Sequence, residues 1–151
     1  PGSFVQTGRT SDCKKFLFIP SQQSNVNQTS IDCYQVKYST HDNAVTLLNA
    51  IWLFGSPAEA EIEINQFAEL TPAANNINDM QILAVPSTLA NKSAASSAIV
   101  TGGASPIYVA NLYWRSGSAI LRLTVLSYQG PIPLSELMMP AQRIEVRLES
   151  R

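Results

Sequence analysis

The chain has 151 residues and a net charge of −1, and its charged fraction of 14% lies below the ~25% typical of soluble domains. A chain of this length forms one domain, which we expect to span residues 4–151, with residues 1–3 as the remnant of a cleaved tag. The weak net charge argues against a nucleic-acid partner. No apolar run reaches the ~18 residues of a membrane span, which argues against membrane insertion.

Two segments in the first quarter of the chain predict strands. Residues 15–19 are apolar and aromatic and end at Pro20. Residues 34–38 alternate with period two, so that Tyr34, Val36 and Tyr38 share one face.

The period then changes, and residues 43–54 predict a short helix. Thr40 or Asp42 can cap its start, and Gly55 stands where a left-handed cap would end it. Its apolar stripe consists of Val45, Leu48, Ile51 and Trp52.

Residues 58–64 alternate strictly and predict a strand with alanine and isoleucine inward. Its outward carboxylates, those of Glu59, Glu61 and Glu63, suggest either a metal or acid–base site or a solvated strand face, and we favour the solvated face. Residues 143–148 alternate as cleanly, which makes them the expected partner strand.

A further strand is expected over residues 80–85, and a long surface loop over residues 86–105, which are rich in alanine, serine and threonine. Neutral hydrogen-bonding groups in and near this loop are candidate binding residues. They are Asn75, Asn76, Ser87, Thr88, Asn91, Lys92, Ser93, Ser96 and Ser97.

Cys13 and Cys33 are the only cysteines. A bridge between them would stabilise the domain by roughly 3 kcal/mol, but two free thiols explain the same count and are the reading we favour. Two cysteines and one histidine do not complete a four-ligand zinc site, so we expect no metal and no cofactor.

His41 is the only histidine, and together with the neighbouring Asp42 and many serines it permits a serine-hydrolase interpretation. Residues 103–107 form half of a nucleophile elbow, without its closing glycine. We favour a structural role for His41 at the entry to the predicted helix.

One pattern occurs twice, and each copy holds one of the two tryptophans. An aromatic and aliphatic segment meets a Gly/Ser break and an alternating strand, first over residues 48–64 and again over residues 109–125. The second copy, with Trp114, Arg115, Gly117 and Ser118, resembles the Trp-Arg-Gly-Ser segment of jelly-roll coat proteins from picorna-like, insect-type RNA viruses. Ser116 interrupts that motif and the chain is short for a coat subunit, so the resemblance implies a protruding or accessory domain.

These observations predict an all-β fold: an antiparallel β-sandwich or jelly-roll-like domain with one short helix at about residues 43–54. We expect Met138 and Met139 in the core. The core residues expected beside them are Phe16, Phe18, Tyr34, Val36, Leu48, Ile51, Trp52, Ile62, Ile64, Leu112, Trp114, Leu121, Leu123, Val125, Ile144, Val146 and Leu148.

The resemblance implies a non-enzymatic domain on the virion surface that self-associates in the capsid and attaches to a host cell-surface receptor, for which a glycan is one candidate. The first alternative is a carbohydrate-binding or adhesin-like β-sandwich of a secreted, extracellular protein, which predicts a bridge between Cys13 and Cys33. The second is the small hydrolase that uses His41.

Overall fold

A computed structural model describes residues 3–11, 30–68, 77–86, 89 and 92–150 of the chain. Its centre is a sheet of seven strands in the order β1-β2-β3-β7-β6-β5-β4, and every neighbouring pair is antiparallel. The strands are β1 (Val5–Thr10), β2 (Asp32–Ser39), β3 (Val45–Leu53), β4 (Ile77–Leu83), β5 (Ser93–Val100), β6 (Ile107–Ser116) and β7 (Ala119–Ser127). The predicted antiparallel, all-β class is therefore confirmed.

The chain builds this sheet from two meanders that meet where β3 pairs with β7. Helix α1 (Pro57–Ala68) connects the first meander to β4 at the far edge, and helix α2 (Leu134–Glu149) follows β7. Neither of these helices has the length and apolar composition of a membrane-spanning segment. In the described part of the chain, helices rather than a second sheet form the outer layers.

The two helices lie on opposite faces of the sheet. Ala60 and Ile64 of α1 pack with Tyr113, whereas Leu137 and Ala141 of α2 pack with Trp114. Since Tyr113 and Trp114 are adjacent in β6, their side chains point to opposite faces. We call these faces the α1 face and the α2 face.

The helix predicted at residues 43–54 is wrong, because β3 occupies most of this segment. Thr40 and Asp42 do not cap a helix: the Asp42 carboxylate accepts a hydrogen bond from the Ala44 backbone N–H at 3.1 Å, inside the β2–β3 turn. β3 is a central strand covered on both faces, so its apolar residues do not alternate and can mimic a helical stripe.

The strand predicted at residues 58–64 is also wrong, since these residues lie in α1. The Glu59 backbone N–H donates to Ser56 Oγ at 3.2 Å, and the Gly55 N–H donates to Glu59 Oε2 at 3.0 Å. This arrangement resembles a capping box, except that the Glu59 carboxylate accepts from the residue before the capping serine, and Pro57 follows at the first helical position. Ile62, expected inward, is 61% exposed, whereas Glu63, expected outward, is buried.

The strand predicted at residues 143–148 belongs to α2, so the expected pairing with residues 58–64 does not occur. Because of the helical spacing, Val146 is 64% exposed and Leu148 lies at the surface. Of the neighbouring Met138 and Met139, both expected in the core, Met138 is buried and Met139 is 59% exposed. Other expected core residues are confirmed as buried, namely Leu48, Trp52, Ile64, Leu112, Trp114, Leu121, Leu123 and Val125.

The remaining core predictions are mixed. Tyr34 is exposed at the rim of the α2 face, and Val36, Ile51 and Ile144 are half-buried. Phe16, Phe18 and the predicted strand at residues 15–19 lie outside the described residues.

Cys33 is disulfide-bonded, which contradicts the favoured reading of two free thiols. The other cysteine of the chain, Cys13, lies outside the described residues. A disulfide at Cys33 is what the secreted alternative predicted.

Both outer strands of the sheet are irregular. The register of β1 against β2 shifts between Gln6 and Gly8, and that of β4 against β5 shifts between Asn78 and Gln81. In the second irregularity Asp79 adopts a left-handed backbone conformation with φ +47°. Each edge strand therefore carries a bulge-like break in its ladder.

Candidate functional site

The predicted binding residues do not gather in one surface loop. Ser93, Ser96 and Ser97 belong to β5, so the loop predicted over residues 86–105 is wrong in its middle; Ser96 is buried on the α1 face, and Ser97 points to the other face. Lys92 is also described. The remaining five predicted binding residues lie outside the described residues: Asn75, Asn76, Ser87, Thr88 and Asn91.

Lys92, which directly precedes β5, contacts two side chains of α1. Its Nζ lies 2.6 Å from Glu61 Oε1 and donates to Asn65 Oδ1 at 3.3 Å, and Arg115 approaches the same carboxylate at 3.9 Å. The hydrogen bond and charge of Lys92 hold the pKa of Glu61 below its ordinary value. Both side chains of the short pair are more than a third exposed, so the pair adds little stability.

His41 occupies the β2–β3 turn instead of a helix entry. The neighbouring Asp42 accepts hydrogen bonds from the Thr40 hydroxyl and from the Ala44 N–H, and these two bonds hold its pKa below the ordinary value. Asp42 is thus a charged turn residue whose carboxylate serves the backbone. The hydrolase alternative stays a prediction, tested by loss of any ester hydrolysis in His41→Ala.

An open groove of about 540 Å³ lies beside this turn. The β2–β3 turn forms one wall, and the segment between β7 and α2 forms the other; a hydrogen bond from the Tyr128 N–H to the Ala44 carbonyl, 3.0 Å long, joins the two walls. We call this space the turn groove. Its lining residues are Phe4, Thr40, His41, Asp42, Ala44, Val45, Gln129, Ile132 and Glu136.

The lining of the turn groove favours a small organic ligand with positive charge. Its volume is within the range usual for ligand pockets, and its lining combines four apolar residues with five polar or charged ones. Asp42 and Glu136 bring two acidic side chains, Phe4 brings an aromatic ring, and the nine described lining residues include no lysine or arginine. Acidic groups combined with an aromatic face attract cations.

The described residues contain no group of three or more histidine, cysteine, aspartate or glutamate side chains that could hold a metal ion. His41, Asp42 and Glu136 therefore share the groove without forming a metal site. Nor do Glu59, Glu61 and Glu63 form one: helical geometry directs the first to the helix cap, the second to Lys92 and the third inward.

The segment that resembles the coat-protein motif forms the end of β6 and the turn into β7. Trp114 is buried on the α2 face, and the Arg115 side chain donates to the Gly117 carbonyl at 3.0 Å. Gly117 has φ +57°, a conformation that glycine adopts without steric cost. The motif thus forms the turn through which the chain enters β7, and the coat-protein resemblance itself stays a prediction.

No protein-family model matches this chain, and no curated protein matches it. Its fold is similar to that in the crystal structure of the extracellular domain of PknH from Mycobacterium tuberculosis, with a TM-score of 0.61. The two chains share 11% sequence identity, and the similarity covers 99% of this chain and 84% of that one. At this identity the similarity concerns the fold alone.

Proposed function

We propose that this chain is an extracellular recognition domain that binds a small, positively charged ligand in the turn groove and catalyses no reaction. The observation that carries the proposal is the groove itself, which two acidic side chains and an aromatic ring line, with no lysine or arginine among the described lining residues. Such a combination binds an amine or a quaternary ammonium group.

Two further observations support a place outside the cytoplasm. Cys33 is disulfide-bonded, and disulfides persist in oxidising compartments. The solved structure with a similar fold is an extracellular domain. A recognition role on the outside of a cell or particle also agrees with the non-enzymatic function expected from the sequence.

The proposal is tested with a panel of small amines and quaternary ammonium compounds, each paired with a neutral compound of the same shape. Binding is measured by calorimetry and by the shift of the thermal midpoint. We expect the charged compounds to bind. Glu136→Gln should lower their affinity by about tenfold, because a charge-assisted contact contributes roughly 1.5–3 kcal/mol.

Asp79→Asn is the matched control, since it removes one negative charge outside the turn groove and asparagine tolerates the left-handed backbone at this position. Equal binding of charged and neutral compounds would contradict the proposed ligand site in the turn groove. An equal loss of affinity in Glu136→Gln and Asp79→Asn would contradict it as well.

The coat-domain function predicted from the sequence is tested by separate experiments. Light scattering at high concentration measures self-association, and binding to host-cell surfaces measures receptor attachment. A domain that stays monomeric and binds no cell surface would contradict it.

A further inference from the structure

A row of four residues crosses the α1 face at mid-sheet. Gln35 on β2, Ala50 on β3, Arg122 on β7 and Tyr113 on β6 stand directly opposite one another in successive strand pairs. All four are buried, and Gln35 and Arg122 are only 0% and 2% exposed. We call this set the buried polar row.

Arg122 is a buried cation whose charge is not matched by the described residues. Its guanidinium carbon lies 5.0 Å from the centroid of the Trp52 ring, and the Tyr113 hydroxyl accepts a hydrogen bond from it. No described carboxylate forms an ion pair with Arg122, and its Nε and Nη2 atoms have no hydrogen-bond partner. Burial lowers the pKa of Arg122, yet a guanidinium stays protonated in proteins, so the positive charge persists.

Gln35 lacks partners on the same face. Neither its amide oxygen nor its amide nitrogen is hydrogen-bonded. Only the methyl group of Ala50 stands between Gln35 and Arg122 in the row, and two strand spacings place their backbones about 10 Å apart. Two long polar side chains therefore flank a small residue.

The neighbouring rows of the same face show that this fold can satisfy buried polar groups. One row further along, the Thr124 hydroxyl donates to Asn111 Oδ1 at 2.6 Å, and beyond it Ser39 and Thr46 share a hydrogen bond of 3.2 Å. Most buried polar atoms in native proteins are paired in this way. The unpaired atoms of Gln35 and Arg122 thus distinguish this row from the two satisfied rows on that side of it.

The two free nitrogens of Arg122 have a specific geometry. Nε and Nη2 form one edge of the planar guanidinium, and their N–H bonds run parallel. A carboxylate binds to this edge through both oxygens, which is the strongest arrangement available to an arginine. We propose that Arg122 holds the carboxylate group of a small organic acid on this edge, that Trp52 fixes the guanidinium plane, and that the Gln35 amide binds a second polar group of the same ligand.

This site is separate from the turn groove and does not rest on the function proposed for it. Binding is tested with acetate, succinate and benzoate against sodium chloride and sodium phosphate at matched ionic strength. The readouts are the thermal midpoint, tryptophan fluorescence and the arginine Nε–H region of a ¹H–¹⁵N spectrum. We expect at least one carboxylate to raise the midpoint, to change the fluorescence and to shift one arginine Nε–H signal downfield.

Arg122→Lys keeps the charge and removes the two-nitrogen edge, so the affinity should fall by about tenfold to a hundredfold. Arg115→Lys is the matched control and should bind like the wild type. Should Arg122→Lys not fold, Gln35→Leu replaces it, with an expected loss of about tenfold for acids that carry a second polar group.

The proposal is overturned if no carboxylate acts beyond the chloride and phosphate controls, if phosphate or chloride alone reproduces the effect, or if both arginine variants lose it equally. Amine binding in the turn groove should survive in Arg122→Lys, which keeps failure of either site distinguishable from failure of the other.

Discussion

The hydrogen bond between Trp114 and Glu145 joins α2 to the sheet, and its removal is a quantitative test of the packing on the α2 face. The Trp114 indole N–H donates to Glu145 Oε2 at 2.9 Å, and Trp114 is fully buried. In Glu145→Ala the N–H keeps its burial and loses its acceptor, which costs roughly 1–3 kcal/mol. A loss of about 2 kcal/mol lowers the thermal midpoint of a domain of this size by about 4–8 °C.

Urea denaturation followed by far-UV circular dichroism measures this loss, because tryptophan fluorescence would itself respond to the substitution. Glu145→Gln keeps an acceptor oxygen and should cost less than about 1 kcal/mol. Arg143→Ala, at an exposed position of the same helix, controls for the general effect of truncation. If Glu145→Ala is no less stable than Arg143→Ala, the argument from a buried unpaired indole is refuted.

Three further predictions concern other contacts. Ser56→Ala should cost about 1 kcal/mol and Ser56→Gly only a few tenths, because the hydroxyl caps α1; urea midpoints compare the two, and equal losses would contradict the cap. The pKa of Glu61 is lowered in the folded state, so the stability from its pair with Lys92 is present above its ordinary value of 4.5 and is lost as the pH falls through the folded pKa. Glu61→Gln should remove this loss of stability at low pH, and high salt should make the loss smaller in the wild type. Cys33→Ser should cost about 2–5 kcal/mol and make stability insensitive to dithiothreitol; an unchanged response to reductant would contradict a structural disulfide.

A strand whose apolar residues alternate clearly could be predicted from the sequence. Elements whose apolar residues fit both a strand and a helix could not. Residues 34–38 alternate and lie in β2, whereas β3 is apolar on both sides because both faces of the sheet are covered. Alternating alanine and glutamate imitated a strand at residues 58–64. The better signal was local: serine, proline and a glutamate three residues after the serine mark the start of α1.

The candidate sites depend on register, which no local pattern reveals. The sequence places Arg122 between apolar neighbours in an alternating strand, and such a residue normally faces water. The pairing of β7 with β3, and of β3 with β2, brings it into one row with Gln35. The turn groove likewise combines Phe4 with Glu136, which lie near opposite ends of the chain. His41 and Asp42 were recognised from the sequence, but as members of a different kind of site.

The breaks in the two outer strands limit how copies of this domain can assemble. A straight edge strand offers a continuous row of N–H and C=O groups that another chain can extend into a fibre. β1 and β4 both lose their regular ladder near mid-strand, and the left-handed residue Asp79 bends the second. Growth of the sheet from chain to chain is thus opposed at both ends, and any ordered assembly of this domain would have to use its helical faces or its turns.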